Sequence, residues 1–198
     1  MSYKVLDDRH FVARTDQMVI ATMHASGTKA VNTTADNALL VDAGGGIVTV
    51  PSTAHGFKAG SHIGIGGSVS FDAVYELIAV TANNFNIYAT FEAAYTFAGT
   101  ETARPELAPG CHFRALELRL HLDGASAAED FVTGLDSGLG EDFDVALDTK
   151  AMNALTDYVL DLYTLRKFFN SDDLLYWTYL NSGANVWGLE VKYQLIDG

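Results

Sequence analysis

The chain has 198 residues, which suits one large domain or two small ones with a sizeable core. It carries 25 acidic and 12 basic residues, for a net charge of −13, and it has no cluster of Lys and Arg. Because nucleic-acid binding needs clustered bases to displace counterions, this charge pattern excludes direct contact with DNA or RNA.

The cysteine content and the lengths of the apolar runs indicate the cellular compartment and whether the chain contacts a membrane. Cys111 is the single cysteine, so an intrachain disulfide is excluded and assembly in a reducing cytosol is expected. The N-terminus lacks a basic start followed by an apolar run, and the chain has no stretch of about 18 apolar residues. We therefore expect neither a signal peptide nor a membrane partner.

Residues 1–46 are loosely patterned. Met18 to Met23 has strand-like content, and the triplet Gly44 to Gly46 between two apolar runs predicts a turn or hinge, at which we place a domain boundary. Residues 1–46 are expected to be an assembly arm or to add strands to a C-terminal sandwich. We favour the second, because a sandwich usually needs about seven strands.

Residues 47–100 alternate between apolar and polar positions with a period of two. The predicted strands are short and about ten residues apart, with Ile63 and Ile65 on one buried face. This spacing predicts a small β-barrel module over residues 47–100. Residues 101–110 contain two of the three prolines and are expected to be a linker.

Residues 111–198 predict a β-sandwich domain. From 116 to 122 every even position is a leucine, which we assign to the buried side of a strand. The odd positions are assigned to the opposite side: Phe113, Ala115, Glu117, Arg119 and His121.

Two turns and one ambiguous segment complete this half. Asp136 to Gly138 predicts a turn between two strands, and Asn181 to Gly183 predicts the turn of a hairpin. Residues 151–168 combine apolar positions at helical spacing with neighbours that are strands on both sides. For that segment we favour extended structure from Asp157 to Tyr163.

No motif of enzyme chemistry is present. The segment GIGGSV lacks the Lys-Ser/Thr of a phosphate loop, and the histidines and Cys111 lack zinc spacing. There is no G-x-S-x-G, and adjacent Cys111 and His112 face opposite ways on a strand. We assign no catalytic residue and no cofactor.

Acidic residues offer the one candidate metal site. Asp123 to Asp148 holds eight acids and no base, and it reads either as solvated loops or as a cation site. The oxygen ligands for calcium would come from Asp136, Glu141, Asp142 and Asp144, although their spacing does not match the EF-hand loop.

Aromatic residues are densest between 168 and 187. Tyr176, Trp177, Tyr179 and Trp187 predict a core or a subunit-interface cluster. The alternative is a carbohydrate-binding surface, on which Trp177, Tyr179 and Trp187 would stack against sugar rings.

Two segments resemble modules of tailed-bacteriophage virion proteins. The first, TAHGFKAGSHIGIGGSVSFDAVYELIAVTANNFNIYATF, carries His55, Gly56, Phe57 and Gly60 at the positions that open a small phage β module. It departs from that pattern at Ser61-His62, where an acid is usual, and at Ala73. The second segment resembles a phage-associated sandwich through LELRLHLDG, DSGLGEDFDVAL and the closing WGLEVKY.

These resemblances imply an all-β protein, a jelly-roll-like β-sandwich with a small inserted β-barrel domain. They imply a virion structural protein, assembled in the host cytoplasm. The size of the chain, its all-β pattern, the lack of a catalytic set, the single cysteine and the acidic surface favour a non-enzymatic capsid decoration protein. Its expected partners are the major capsid protein of the same phage and further copies of itself, for instance as a trimer. The alternatives are a tail, connector or fibre-attachment protein, or a carbohydrate-binding surface module.

Overall fold

A computed structural model of the chain describes residues 20–27, 33–34, 39–93, 95–137, 139, 141–164 and 168–196. These residues are nearly all in β-strands and their turns, apart from a 3-10 turn at Glu141–Phe143. None of the helical structure in these ranges is long and apolar enough to cross a membrane. The strands are β1 Ile20–Gly27, β2 Thr33–Thr34, β3 Val41–Gly44, β4 Ile47–Pro51, β5 His62–Gly66, β6 Ala73–Glu76, β7 Ala79–Val80, β8 Asn84–Tyr88, β9 Thr102–Leu107, β10 Phe113–Leu122, β11 Asp130–Asp136, β12 Val145–Ala151, β13 Asp157–Asp161, β14 Leu174–Tyr179 and β15 Trp187–Leu195.

The strands form three antiparallel sheets. A four-stranded sheet has the order β1-β15-β10-β13, and a seven-stranded sheet has the order β12-β11-β14-β9-β5-β6, with β2 also paired to β9. A second four-stranded sheet, β3-β4-β8-β7, is the smallest in area. The first strand β1 pairs with the last strand β15 along its whole length, so the N-terminal segment completes the sheet that contains the C-terminus.

One continuous apolar core lies between the sheets. It combines side chains from all three sheets, including Phe85, Phe113, Trp177 and Trp187, each at most 1% exposed. Side chains alternate between this core and the outer faces because consecutive residues of a strand point to opposite sides. The expected all-β, sandwich-like class is confirmed.

The inserted barrel is a correction. Among the described residues no closed barrel is found. Within 47–100, β5 and β6 join β9 of the large sheet, whereas β4, β7 and β8 join β3 in the small one. The short strands were predicted correctly, but they belong to two different sheets and not to one barrel.

The linker at 101–110 is also a correction, because β9 lies inside the seven-stranded sheet. Pro105 lacks an N–H, yet it is tolerated there. On one side β9 pairs with β5; on the other, β2 pairs with Thr102 and Ala103 and β14 pairs with Glu106 and Leu107. Among the described residues, Pro105 lies between the part of β9 that pairs with β2 and the part that pairs with β14. The boundary placed at Gly44 to Gly46 likewise falls within a hairpin, since β3 pairs with β4.

A β-bulge changes the expected faces of β10. The register with β15 shifts between Ala115 and Glu117, so an extra residue, Leu116, reverses the alternation. Phe113 and Ala115 are therefore buried on the same side as Leu118, which contradicts the assignment of these two residues to the solvent side.

In the C-terminal half, one prediction made from the sequence is wrong and two agree with the structure. The turn at Asn181 to Gly183 does not close a hairpin, because β14 belongs to the seven-stranded sheet and β15 to the four-stranded one. Asp157–Asp161 is a strand paired with β10, as expected. β11 and β12 pair on either side of the turn that begins at Asp136, although Gly138 lies outside the described residues.

Candidate interaction site

Arg104 is the centre of a charged cluster on the outer face of the seven-stranded sheet. Its Nε lies 2.6 Å from Oε1 of Glu106, and its Nη2 lies 3.4 Å from Oδ2 of Asp136. Its Cζ lies 3.7 Å from the ring centroid of Tyr176, which is a cation–π contact. Three neighbouring strands, β9, β11 and β14, supply these residues. We call Arg104, Glu106, Asp136 and Tyr176 the Arg104 cluster.

Two glycines make room for this cluster. Gly134, Tyr176 and Glu106 form one cross-strand row, and a Cβ on Gly134 would overlap the Tyr176 ring. A Cβ on Gly64, on the neighbouring strand β5, would overlap the carboxylate of Glu106. The large side chains therefore lie flat over the sheet because their neighbours have no side chain.

Burial makes Glu106 a titratable group near neutral pH. Loss of solvation raises its pKa from the ordinary 4.5 to about 7, which outweighs the opposing attraction of Arg104. The carboxylates of Asp136 and Asp72 raise this pKa further. Glu106 is only 4% exposed, which accounts for this loss of solvation.

Gly64→Ala is expected to lower the free energy of unfolding by about 2 kcal/mol, because the new methyl group displaces Glu106 from Arg104. In a Glu106→Ala background the same substitution is expected to cost nearly nothing, and a urea-unfolding double-mutant cycle measures the difference. Gly188→Ala is the matched control, because a Cβ at that strand position has open space around it. Equal costs of Gly64→Ala in both backgrounds would contradict the steric explanation.

The hairpin between β11 and β12 ends in exposed apolar side chains. Leu139, Phe143 and Val145 are between 46% and 72% exposed, and we call them the apolar tip. The tip is held in shape by Ser137, whose N–H donates to Oδ1 of Asp144 at 2.8 Å and whose Oγ accepts from the N–H of Leu139 at 3.3 Å. Since β11 ends at Asp136, the Arg104 cluster lies at the base of this hairpin.

The aromatic residues predicted for a subunit interface are mostly core residues, which is a correction. Trp177, Tyr179 and Trp187 are at most 3% exposed within a single chain, so they offer no surface to a neighbouring subunit or to a sugar. Tyr176 alone faces outward, beneath Arg104. Adjacent strand residues face opposite sides, and this rule applied to Tyr176 and Trp177 separates them from sequence alone.

The acidic residues predicted for calcium are not brought together. Asp136 contacts Arg104, Asp144 accepts from Ser137, Asp142 is exposed, and the side chain of Glu141 lies outside the described part of the structure. Within the part that is described, no group of three or more His, Cys, Asp or Glu is arranged to hold a metal ion. Calcium binding stays a prediction.

Arg104 and Glu106 were missed from sequence because residues 101–110 were assigned to a linker. A signal was available, since Thr102, Arg104 and Glu106 alternate with Ala103 and other apolar residues across this stretch. Such alternation is typical of a strand with one buried face.

The outer face of the four-stranded sheet containing β1 carries an open groove of about 400 Å³. Its polar side chains pair with one another: Nε2 of His24 lies 3.2 Å from Oε2 of Glu190, and the guanidinium of Arg119 forms ion pairs with Glu117 and Glu190. At its edge His121 lies 2.7 Å from Asp157. This surface, which we call the charged face, is a solvated ion-pair network of modest energetic value.

Comparison with known proteins finds no matching family model, no matching curated protein and no matching solved structure. Function is therefore inferred from the surfaces described above and from the two resemblances in the sequence.

Proposed function

We propose that the protein is a non-enzymatic structural subunit of a tailed-phage virion. Its role is that of a decoration protein, which attaches to the outside of the head by inserting the apolar tip into the major capsid protein. The two sequence resemblances support the virion assignment. The exposed apolar tip is the observation that carries the mode of attachment.

The tip has the chemistry of a protein contact. Burying the side chains of Leu139, Phe143 and Val145 against a partner stabilises a complex by roughly 1.5–3 kcal/mol each. Asp142 and Asp144 flank these residues and carry negative charge. The complementary surface is an apolar pocket with a basic rim, because opposite charges at the rim steer and orient association.

Contacts at the base of the hairpin favour binding, because a tip that is already held in place loses less entropy on association. Arg104 bridges Glu106 on β9 to Asp136 at the end of β11, so it ties the hairpin to the middle of the large sheet. The tip is thereby presented at a fixed position relative to the core. On a head lattice, many identical weak contacts add up through multivalency.

The Leu139→Ser, Phe143→Ser double variant is expected to bind heads lacking the protein about 100-fold more weakly, because two apolar contacts are lost. Co-sedimentation of the purified chain with such heads measures this affinity. Val159→Ser is the matched control, since Val159 is similarly exposed but lies on β13 of another sheet. Unchanged binding by the double variant would disprove attachment through the tip.

Counting copies per particle tests the location of the protein. A number in the hundreds supports the head lattice, whereas about six or twelve copies would assign the chain to a connector or tail instead. Quantitative mass spectrometry of purified virions gives this number.

A further inference from the structure

Among the residues that the structure describes, the outer face of the small sheet β3-β4-β8-β7 carries no charged side chain. One cross-strand row runs through all four strands, and cross-strand partners project to the same side of a sheet. Two further pairs extend that side. We call this surface the neutral face, and its residues are Val41, Thr49, Asn86 and Ala79 in the row, with Ile47, Tyr88, Pro51 and Asn84 in the pairs.

The neutral face differs from the outer faces of the other two sheets. The four-stranded sheet that contains β1 carries the charged face, and the seven-stranded sheet carries the Arg104 cluster. The whole chain has a net charge of −13. A four-stranded face without charge on such a protein has the composition of an interface centre, where charged residues are depleted.

Apolar side chains stand out from the neutral face. Val41 is 54% exposed and Tyr88 is 66% exposed. Leu39 is also exposed and lies on the same side as Val41, because Leu40 between them is buried. Two of the polar members bond to each other, since Oγ1 of Thr49 donates to Oδ1 of Asn86 at 2.9 Å. Covering this face therefore leaves that pair hydrogen-bonded.

We propose that the neutral face is a self-association surface, on which a second copy of the chain docks through the same face about a two-fold axis. Two copies of an acidic protein repel each other, and burying an unpaired charge costs several kcal/mol. A contact between copies is therefore favoured where neither contributes a charge. A two-fold axis brings the same uncharged patch from both copies together.

The size of the face sets the strength of this contact. Four strands about 4.8 Å apart, with five residues at about 3.3 Å in β4 and β8, give roughly 300 Å² per copy. Two copies then bury roughly 600 Å², below the value of about 1,000 Å² for a stable interface, so the dimer is a weak one. Such a dimer forms at high local concentration, for example when copies are held side by side on a larger assembly.

Salt distinguishes this contact from a charge-driven one. Repulsion between the acidic chains is screened over about 10 Å at 0.1 M salt, so self-association through the neutral face is expected to strengthen as salt is added. A contact with a basic partner weakens under the same change. The salt dependence therefore reports which kind of surface is used.

Sedimentation equilibrium of the isolated chain at concentrations up to about 1 mM is expected to show a monomer–dimer equilibrium that salt strengthens. The Val41→Lys, Tyr88→Lys double variant is expected to weaken the dimer at least about 100-fold, because like charges then face each other across the axis. Lysine lowers the net negative charge, so greater overall repulsion cannot explain this loss. Val69→Lys, at the most exposed apolar residue described, is the control and is expected to dimerise like the wild type.

A monomer at every concentration and salt level would overturn the proposal, and so would unchanged dimerisation of the double variant. Nuclear magnetic resonance of the unmodified chain gives a second reading that needs no variant. Chemical shifts that change on dilution are expected for residues within 39–51 and 79–88. Changes confined to other residues would also overturn the proposal. These experiments use the isolated chain, so their outcome is independent of the proposed attachment to heads.

Discussion

Replacing Trp187 with alanine is expected to lower the free energy of unfolding by about 4 kcal/mol. The side chain is 1% exposed, its ring packs edge-on against Phe57 with centroids 6.3 Å apart, and it lies against Gly27 of β1. Removing it leaves a cavity where strands β1, β10 and β15 meet. Urea unfolding followed by circular dichroism measures the change.

Tyr88→Ala is the control for this prediction. Tyr88 is an aromatic residue that is largely exposed, so its loss is expected to cost less than about 1 kcal/mol at micromolar protein concentration. If Trp187→Ala left stability unchanged and altered only binding to a partner, the side chain would belong to a surface and the described core would be wrong.

Glu106→Gln is expected to remove about 3 kcal/mol of pH dependence from the unfolding free energy. In the folded chain Glu106 keeps its proton until about pH 7, whereas in the unfolded chain it releases the proton near its ordinary pKa of 4.5. The stabilising contribution of the neutral form is therefore complete below about pH 4.5 and is lost as pH rises through about 7. Arg104, Asp136 and Asp72 are the charged groups that act on this pKa.

The measurement compares wild type and variant by urea unfolding between about pH 4 and about pH 8. Their difference in unfolding free energy isolates Glu106, because the other titrating groups are common to both chains. As pH rises, the unfolding free energy of the wild type is expected to fall steadily relative to that of Glu106→Gln. A difference that stays constant would mean that Glu106 is ionised throughout and that burial does not govern its pKa.

Glu101→Gln provides a control of opposite sign. Burial opposes ionisation of Glu101, but backbone N–H donors at Ala98, Gly99 and Thr100 outweigh it and lower its pKa. Its stabilising contribution is therefore present above the ordinary pKa of 4.5 and is lost as pH falls below it. When the pH series is extended down to about pH 2, Glu101→Gln is expected to remove a loss of stability at acid pH, whereas Glu106→Gln removes a loss of stability toward neutral pH.

The sequence located strands well where alternation was regular. Strands β4, β5, β8, β11 and β15 all fall within segments that period-two patterning predicted. Extended structure was favoured for β13 against a competing helical spacing because the segments on both sides were predicted strands. Alternation is readable because a strand with one buried face must place apolar side chains at every second position.

The candidate site was only partly accessible from sequence. Asp136 and Tyr176 were singled out for other reasons, as a calcium ligand and an interface aromatic, and the fold brings both to Arg104. Arg104 and Glu106 were hidden because the prolines of this stretch indicated a linker, whereas Pro105 lies within β9. Which strands pair beside that proline is a property of the sheet and not of the segment.

The sequence alone determined that this chain is an acidic, nearly all-β protein with short strands. Tertiary structure alone decided which sheet each strand joins, that β14 and β15 lie in different sheets, and that Leu116 reverses the faces of β10. It also decided that the tryptophans are internal and which apolar residues stay exposed, among them those of the tip and the neutral face. The reason is that alternation reports only that a strand has one buried side, whereas the partner that covers this side is chosen by contacts between residues far apart in the chain.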